Sequence, residues 1–265
     1  MRKYLFLIKT AWQRQLVYRA TVYGYRLGNI FDVLFQVTIW TAVYKSTSVV
    51  YGYNYNEMIT YVMIGWLINF MTANYGIEDV VSRNIQNGEL NVYLTRPLSY
   101  LRSIITMSIG RTSIALISGV ALQLLFIFIF QNHMVAQTDL SIILVIFIIV
   151  ILGYFVRLLL SILFGLIAFW ATDVSGLNSF FATFIRLLSG GYAPLSLLPA
   201  MLYKLSLFFP FAYIVFFPTQ LYLGKLDLMD GIKGVGVELL WLVLLYVIIK
   251  IVWNKGLKKY EGVGI

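Results

Sequence analysis

The chain contains no cysteine and, among 265 residues, a single histidine, His133. Disulfides, thiol catalysis and Cys-based zinc sites are thereby excluded. One imidazole with scattered carboxylates gives neither H-E-x-x-H nor a carboxylate cluster for a metal. The lack of cysteine leaves the redox compartment open. Charge is also scarce, at 12% of residues against roughly a quarter in soluble proteins. Proline is confined: of five, only Pro97 lies outside the stretch 194–218. A phosphate-cradling G-x-x-x-x-G-K-[ST] loop is missing as well. The only Gly-Lys, Gly224-Lys225, has Thr219 where the first glycine belongs and Leu226 after the lysine.

What is present is apolar: 60% of residues are hydrophobic and the mean hydropathy is +0.84. That composition belongs to an integral membrane protein. A helix crossing about 30 Å of hydrocarbon needs roughly 20 apolar residues, and six candidates follow: 27–44, 58–75, 112–130, 140–172, 175–189 and 238–253. The fourth is longer than a membrane is thick, so it must tilt, bend near Gly153 or Gly165, or protrude. The fifth is short and carries Arg186. Between the fifth and sixth, Pro194, Pro199, Pro210 and Pro218 preclude one continuous helix. Broken backbone at membrane depth survives only when shielded by protein or lining water, so 190–220 is expected to form a re-entrant helical hairpin dipping into the outer leaflet.

At the N-terminus, the basic start is followed by an apolar run too short for a signal-peptide core, and no cleaved leader is expected. Leu5, Ile8, Trp12 and Leu16 share one helical face, with Lys9, Gln13 and Arg14 away from it. Residues 1–20 therefore read as an amphipathic helix in the membrane interface, or alternatively as a helix packed on protein. The expected fold class is all-α integral membrane, a single transmembrane domain over 1–265 with six transmembrane helices, the N-terminal interfacial helix and the hairpin.

The net charge is +9, and its placement tests orientation. Six cations precede the first span, four (Arg83, Arg96, Arg102, Arg111) lie between the second and third, and four (Lys250, Lys255, Lys258, Lys259) close the chain, fourteen of the twenty in all. With six spans, all three groups fall on one side, which the positive-inside rule makes the cytoplasm, both termini included.

The stretch VVSRNIQNGELNVYLTRPLSYL, 80–101, has the character of a soluble protein. Ile77, Val81 and Ile85 recur every four residues and predict a short helix, which Asn87-Gly88 ends. Leu90, Val92 and Leu94 alternate with polar residues and predict an extended segment, and Arg96 before Pro97 is pushed to extended geometry too. Pro97 suits the start of the next helix. Such an insert either covers neighbouring helix ends or docks a soluble partner.

Here the sequence resembles the membrane subunits of type-2 ATP-binding-cassette (ABC) exporters, close to a bacterial branch of permeases of this length. The resemblance rests on three features in order: NGELNVYLTRPLSYL after the second span, SGGYAPLSLLPAMLYKLSLFFPFAYIVFFPTQLYLGK before the last, and the terminal NKGLKKYEGVG. It covers nearly the whole chain. It implies a permease that forms a translocation path as a dimer, with an identical or paralogous second permease, among membrane lipids and in the bacterial inner membrane. The loop 77–97 would be the coupling element seated on a separate ATPase subunit, with Ile85, Gly88, Glu89, Leu90, Tyr93, Leu94, Arg96 and Pro97 in the coupling region. Gly190, Gly191, Pro194, Pro199, Pro210 and Pro218 would cap the outer end of the path. No cofactor is expected on this chain; ATP and Mg would sit on the partner ATPase. No nucleic-acid partner and no catalytic or metal residues are expected.

Intramembrane charge is costly and marks function by default. Arg157 reads either as a cation lining the cavity at the subunit interface, attracting anionic head groups or substrate, or as a side chain that snorkels or pairs with Asp173. Asp32 and Arg186 are expected to reach head groups or water near helix ends, and the pair Glu78-Asp79 to be solvated. Gly24 and Gly28 give a small-x-x-x-small pair with Arg26 between them, a weak packing signal. Two rival classes remain, an ion-coupled secondary transporter and a membrane-embedded lipid-modifying enzyme. The first lacks midplane carboxylates and a second cluster of prolines. The second lacks a nucleophile or acid-base constellation.

Overall fold

The computed structural model describes residues 2–17, 19–95, 99–171 and 173–260. Among these the chain is helical, with one isolated bridge, Val50 to Tyr53, and no strand. Twelve α-helices follow in order: α1 (Arg2–Val17), α2 (Arg19–Val43), α3 (Tyr55–Met71), α4 (Ile77–Gln86), α5 (Leu90–Leu94), α6 (Tyr100–Phe130), α7 (Leu140–Gly165), α8 (Ser175–Leu188), α9 (Ala200–Phe208), α10 (Phe211–Ile214), α11 (Phe216–Tyr222) and α12 (Leu228–Lys259). Tyr100–His133, Leu140–Phe169 and Leu228–Lys259 are long and apolar enough to cross a membrane, and Gly176–Leu188 is a shorter apolar helix.

The helix starts are chemically defined. Asn54 and Glu57 form a capping box on α3, the Asn54 side chain accepting from Glu57 N at 2.9 Å and Glu57 from Asn54 N at 2.8 Å. Asp139 caps α7 through Ser141 N at 2.8 Å. Asp227 accepts from Asp230 N at 2.8 Å and opens α12, ten residues before the expected start of the last span. The third span likewise begins early, at Tyr100 instead of 112.

Helix α7 is the centre of the packing. Its flanks meet α12 along much of their common length, α4 near its C-terminal end, and α10 and α11. At Gly165 it gives way to a 3-10 turn, Leu166–Phe169. The glycine also permits contact: a Cβ there would stand 2.6 Å from Val81 Cβ and 2.8 Å from the Glu78 carbonyl. α1 packs along α6, with Trp12 Nε1 donating to Ser113 at 3.0 Å. Its Leu5 and Leu16 remain bare.

The prolines sit where they cost least. Pro194 precedes the 3-10 turn Leu195–Leu197, Pro199 and Pro210 precede α9 and α10, and Pro218 lies in the first turn of α11. The outcome is three short helices, with Phe209 and Phe211 on either side of Pro210 packed on Trp241 and Phe184. Gly190 and Gly191 turn the chain out of α8. Gly191 N donates to Arg186 O at 2.9 Å and Gly190 N to Leu187 O at 3.1 Å, the two bonds of a Schellman end, with Gly190 at φ +80°.

Candidate functional site

Two features collect the chemistry-bearing residues: the insert at one end of the bundle and a polar cavity within it.

The insert is a bracket. Ile77, Val81 and Ile85 of α4 are buried, as their spacing predicts, and Gly88 at φ +74° ends the helix. The following segment corrects the expectation of an extended strand: Leu90–Leu94 is helical. Asn91 N bonds Gly88 O at 3.1 Å and Thr95 closes on Asn91 O, so the backbone pairs locally where no neighbouring strand is available. Leu90 faces inward at 0% exposure, whereas Val92 and Leu94 stand 46% and 47% exposed. Glu89 is exposed and Tyr93 half-buried. Arg96 and Pro97 lie outside the described residues.

The inner side of the bracket grips three helices and reaches a fourth through Tyr100. Asn178 of α8 donates to Asp79 at 2.9 Å and to Ser82 at 3.0 Å. Val81 sits against α7 at Gly165. Asn84 and the Tyr100 hydroxyl of α6 hydrogen-bond at 3.2 Å. Tyr93 meets Tyr100 edge-on at 5.1 Å, and Tyr100 stacks on Trp253 of α12. The Glu78-Asp79 pair is thus half-buried and engaged at Asp79, not free in solvent.

The cavity, about 170 Å³, is lined by Asn29 and Asp32 of α2, by Trp66, Asn69 and Phe70 of α3, by Ala73 and Tyr75, and by Arg186 of α8. Asp32 and Arg186 form a direct ion pair, which corrects the expectation that each reaches head groups or water. Two oppositely charged side chains facing each other across a bundle satisfy one another more cheaply than either can by bending to a distant surface. The Arg186 guanidinium also lies 4.3 Å from the Tyr192 ring centroid. Arg157 stands just behind the wall: it donates to Asn69 Oδ1 at 2.8 Å and approaches Asn69 O at the C-terminal end of α3, where a cation is favourable. Arg26 lies under Phe70, 4.6 Å from the ring centroid, and donates to Ala115 O at 2.8 Å. Gly24 and Gly28 have open space beside them and pack no helix closely. Tyr75 has a left-handed backbone, φ +51°, and its buried hydroxyl lies beside Arg26. Such strain is held by surrounding structure and clusters at functional sites.

The opposite end is tied differently. Tyr53 in the α2–α3 loop accepts from Gln220 at 2.6 Å, and Lys225 meets Glu57 at 3.0 Å, Gly52 O at 2.8 Å and the Tyr53 ring at 4.4 Å. Burial pushes the Tyr53 phenol up, offset by its Ser196 and Gln220 hydrogen bonds. Gly190 belongs to this end, its carbonyl accepting from Tyr61 at 2.7 Å.

One residue escaped the sequence reading. Glu238 is not at a span edge but roughly 15 Å along α12, fully buried beside Gly153 and Ile214, with both carboxyl oxygens unpartnered. A buried carboxyl is therefore present within the last long helix. The Asp227-x-x-Asp230 box was the signal that would have placed it inside the helix. Among the described residues no group of three or more His, Asp or Glu is arranged for a metal.

A search of curated proteins finds no match. The family profile described as ABC-2 family transporter protein matches residues 31–264, so this multi-pass membrane chain belongs to that family and is the permease component of an ABC transporter, without a nucleotide site of its own.

Proposed function

We propose that the chain is one permease of an ATP-driven exporter, in which two such subunits flank a path and each is driven by a separate ATPase seated on its insert. Helices α6, α7 and α12 are long and apolar enough to cross; in this reading α2, α3 and the shorter α8 make the other three crossings, with α1 in the interface and the α9–α11 segment re-entrant at the outer end. The exposed cations Arg83, Arg102, Lys255, Lys258 and Lys259 gather at the insert end, which favours that end as cytoplasmic.

The observation that carries the reading is the division of the insert into two sides. Its inner side holds the ends of α6, α7 and α8, and α12 through Tyr100, so a push on the insert is passed to all four. Its outer side offers Glu89, Val92 and Leu94. Two bare aliphatic side chains on a five-residue helix, beside an acidic one, match a groove on a soluble partner better than water. In this arrangement Ile85, Gly88 and Leu90 shape the bracket, while Val92 and Leu94 make the contact. The cavity lined by α2, α3 and α8 faces the path, and the Gly190-Gly191 turn with Pro194, Pro199, Pro210 and Pro218 shapes its outer gate.

Val92→Asp and Leu94→Asp should abolish co-purification of the cognate ATPase while leaving the permease's thermal stability unchanged. Leu90→Asp should fail by unfolding the bracket. Wild-type ATPase recovery with Leu94→Asp and Val92→Asp combined would refute the coupling assignment.

A further inference from the structure

We infer that the cavity between α2, α3 and α8 binds the anionic head group of an amphiphilic cargo, with Arg186 as its cation and Asp32 as a resident anion that the head group displaces. The inference rests on the reading of this face as the translocation path and names the class of cargo carried there.

Size comes first. A cavity of about 170 Å³ is below the usual drug-sized pocket of about 300–1,000 Å³ and holds on the order of five waters. A phosphate or carboxylate with its linking atoms fits; a whole lipid, glycan or peptide does not. The rest of the molecule must lie outside, where Phe35 of α2, one turn beyond Asp32, is exposed. Polar space bordered by bare apolar helix surface is the shape of an amphiphile.

Charge selects the sign. Arg186 lines the cavity, Arg157 backs it through Asn69 and Arg26 through Phe70. Against these three guanidinium groups stand Asp32 within the cavity and Glu78 near Arg157. The positive balance is not met by the cavity's own side chains, and Arg186 Nε is buried without a partner. Asn69 gives its side-chain oxygen to Arg157, which leaves its amide hydrogens as the part it can donate. Asn29 adds a second amide on the α2 side. An arginine fork with amide donors recognises oxyanions. Asp32 occupies part of that fork in the empty state, and a head group that takes the fork must dislodge a like charge.

The permease, purified in neutral maltoside detergent, is titrated with dihexanoyl phosphatidic acid, dihexanoyl phosphatidylcholine and inorganic phosphate, with ligand-induced thermal stabilisation as the readout. Phosphatidic acid is expected to bind at least about tenfold more tightly than either of the others. Asp32→Asn should tighten it by about three- to tenfold, because the competing anion is gone. Arg186→Gln should abolish it, as should the uncharged pair Asp32→Asn with Arg186→Gln, whose unliganded stability shows that the fold survives. Undiminished phosphatidic acid binding in Arg186→Gln, or weaker binding in Asp32→Asn, overturns the site. Inorganic phosphate binding as tightly as phosphatidic acid overturns the amphiphile. No ATPase is present, so failure here is distinct from failure of the coupling reading.

Discussion

Tyr100 stacks flat on Trp253, ring centroids 5.0 Å apart and planes 11° apart, joining the first residue of α6 to the last turns of α12. The same tyrosine takes Tyr93 on its edge and Asn84 on its hydroxyl, so one ring links the insert to two long helices. Trp253→Ala should lower stability by about 2–3 kcal/mol, less than for a fully buried tryptophan. Tyr100→Phe, which keeps the stack and loses only the hydroxyl, should cost about 1 kcal/mol. Thermal unfolding in detergent separates the two, and equal losses would remove the stack from the account.

At the other end of the molecule the tight α8 exit predicts a non-additive pair. A Cβ on Gly190 would stand 2.5 Å from the Tyr61 hydroxyl, on a backbone at φ +80°. Gly190→Ala should destabilise by more than the about 1–2 kcal/mol of the left-handed conformation alone. Tyr61→Phe removes the clashing oxygen and its hydrogen bond together. The double variant should therefore be less destabilised than the sum of the singles, as melting curves of all four proteins would show.

Glu238 is a different case, because its two oxygens are buried with no partner beside Gly153. An unsatisfied buried polar group costs about 1–3 kcal/mol, so the nearly isosteric Glu238→Met should raise the apparent Tm by several degrees. A fall in Tm would mean that the carboxyl has a partner of its own. If transport falls while stability rises, the glutamate is retained for function.

Lys225 and Glu57 couple α11's end to the start of α3 across a partly exposed pair, 26% and 21% accessible. Solvent screening limits such a pair, and a double-mutant cycle with Lys225→Met and Glu57→Gln should give a coupling of about 0.5–1 kcal/mol that shrinks as salt is raised. A coupling insensitive to salt would contradict an electrostatic origin.

Local signals were legible in the sequence. Asn87-Gly88 and Ser189-Gly190-Gly191 end helices through their own backbone geometry, and each proline between 194 and 218 lies at the start of an element, since these effects need only near neighbours. Alternation misled at Leu90, Val92 and Leu94, because a period of two and a single helical turn cannot be told apart over five residues. Gly231 and Gly234, ahead of the expected start at 238, are helical and buried against Val145 and Phe217, where they let α12 pack closely. The Asp32–Arg186 pair joins residues 154 apart, and no pattern within either helix announces it. For the insert, burial of Ile85 follows from periodicity, but which of Leu90, Val92 and Leu94 faces outward depends on tertiary packing.

The absence of cysteine makes the decisive measurement direct. Leu94→Cys is introduced as the sole thiol, and Ser48→Cys at the opposite end serves as the control. Membrane vesicles holding the permease and its cognate ATPase are treated with a short thiol-to-amine cross-linker. The coupling account predicts a covalent adduct between the ATPase and the permease carrying Leu94→Cys, absent with Ser48→Cys. An adduct only with Ser48→Cys, or none at Leu94 while the two proteins still co-purify, would contradict it.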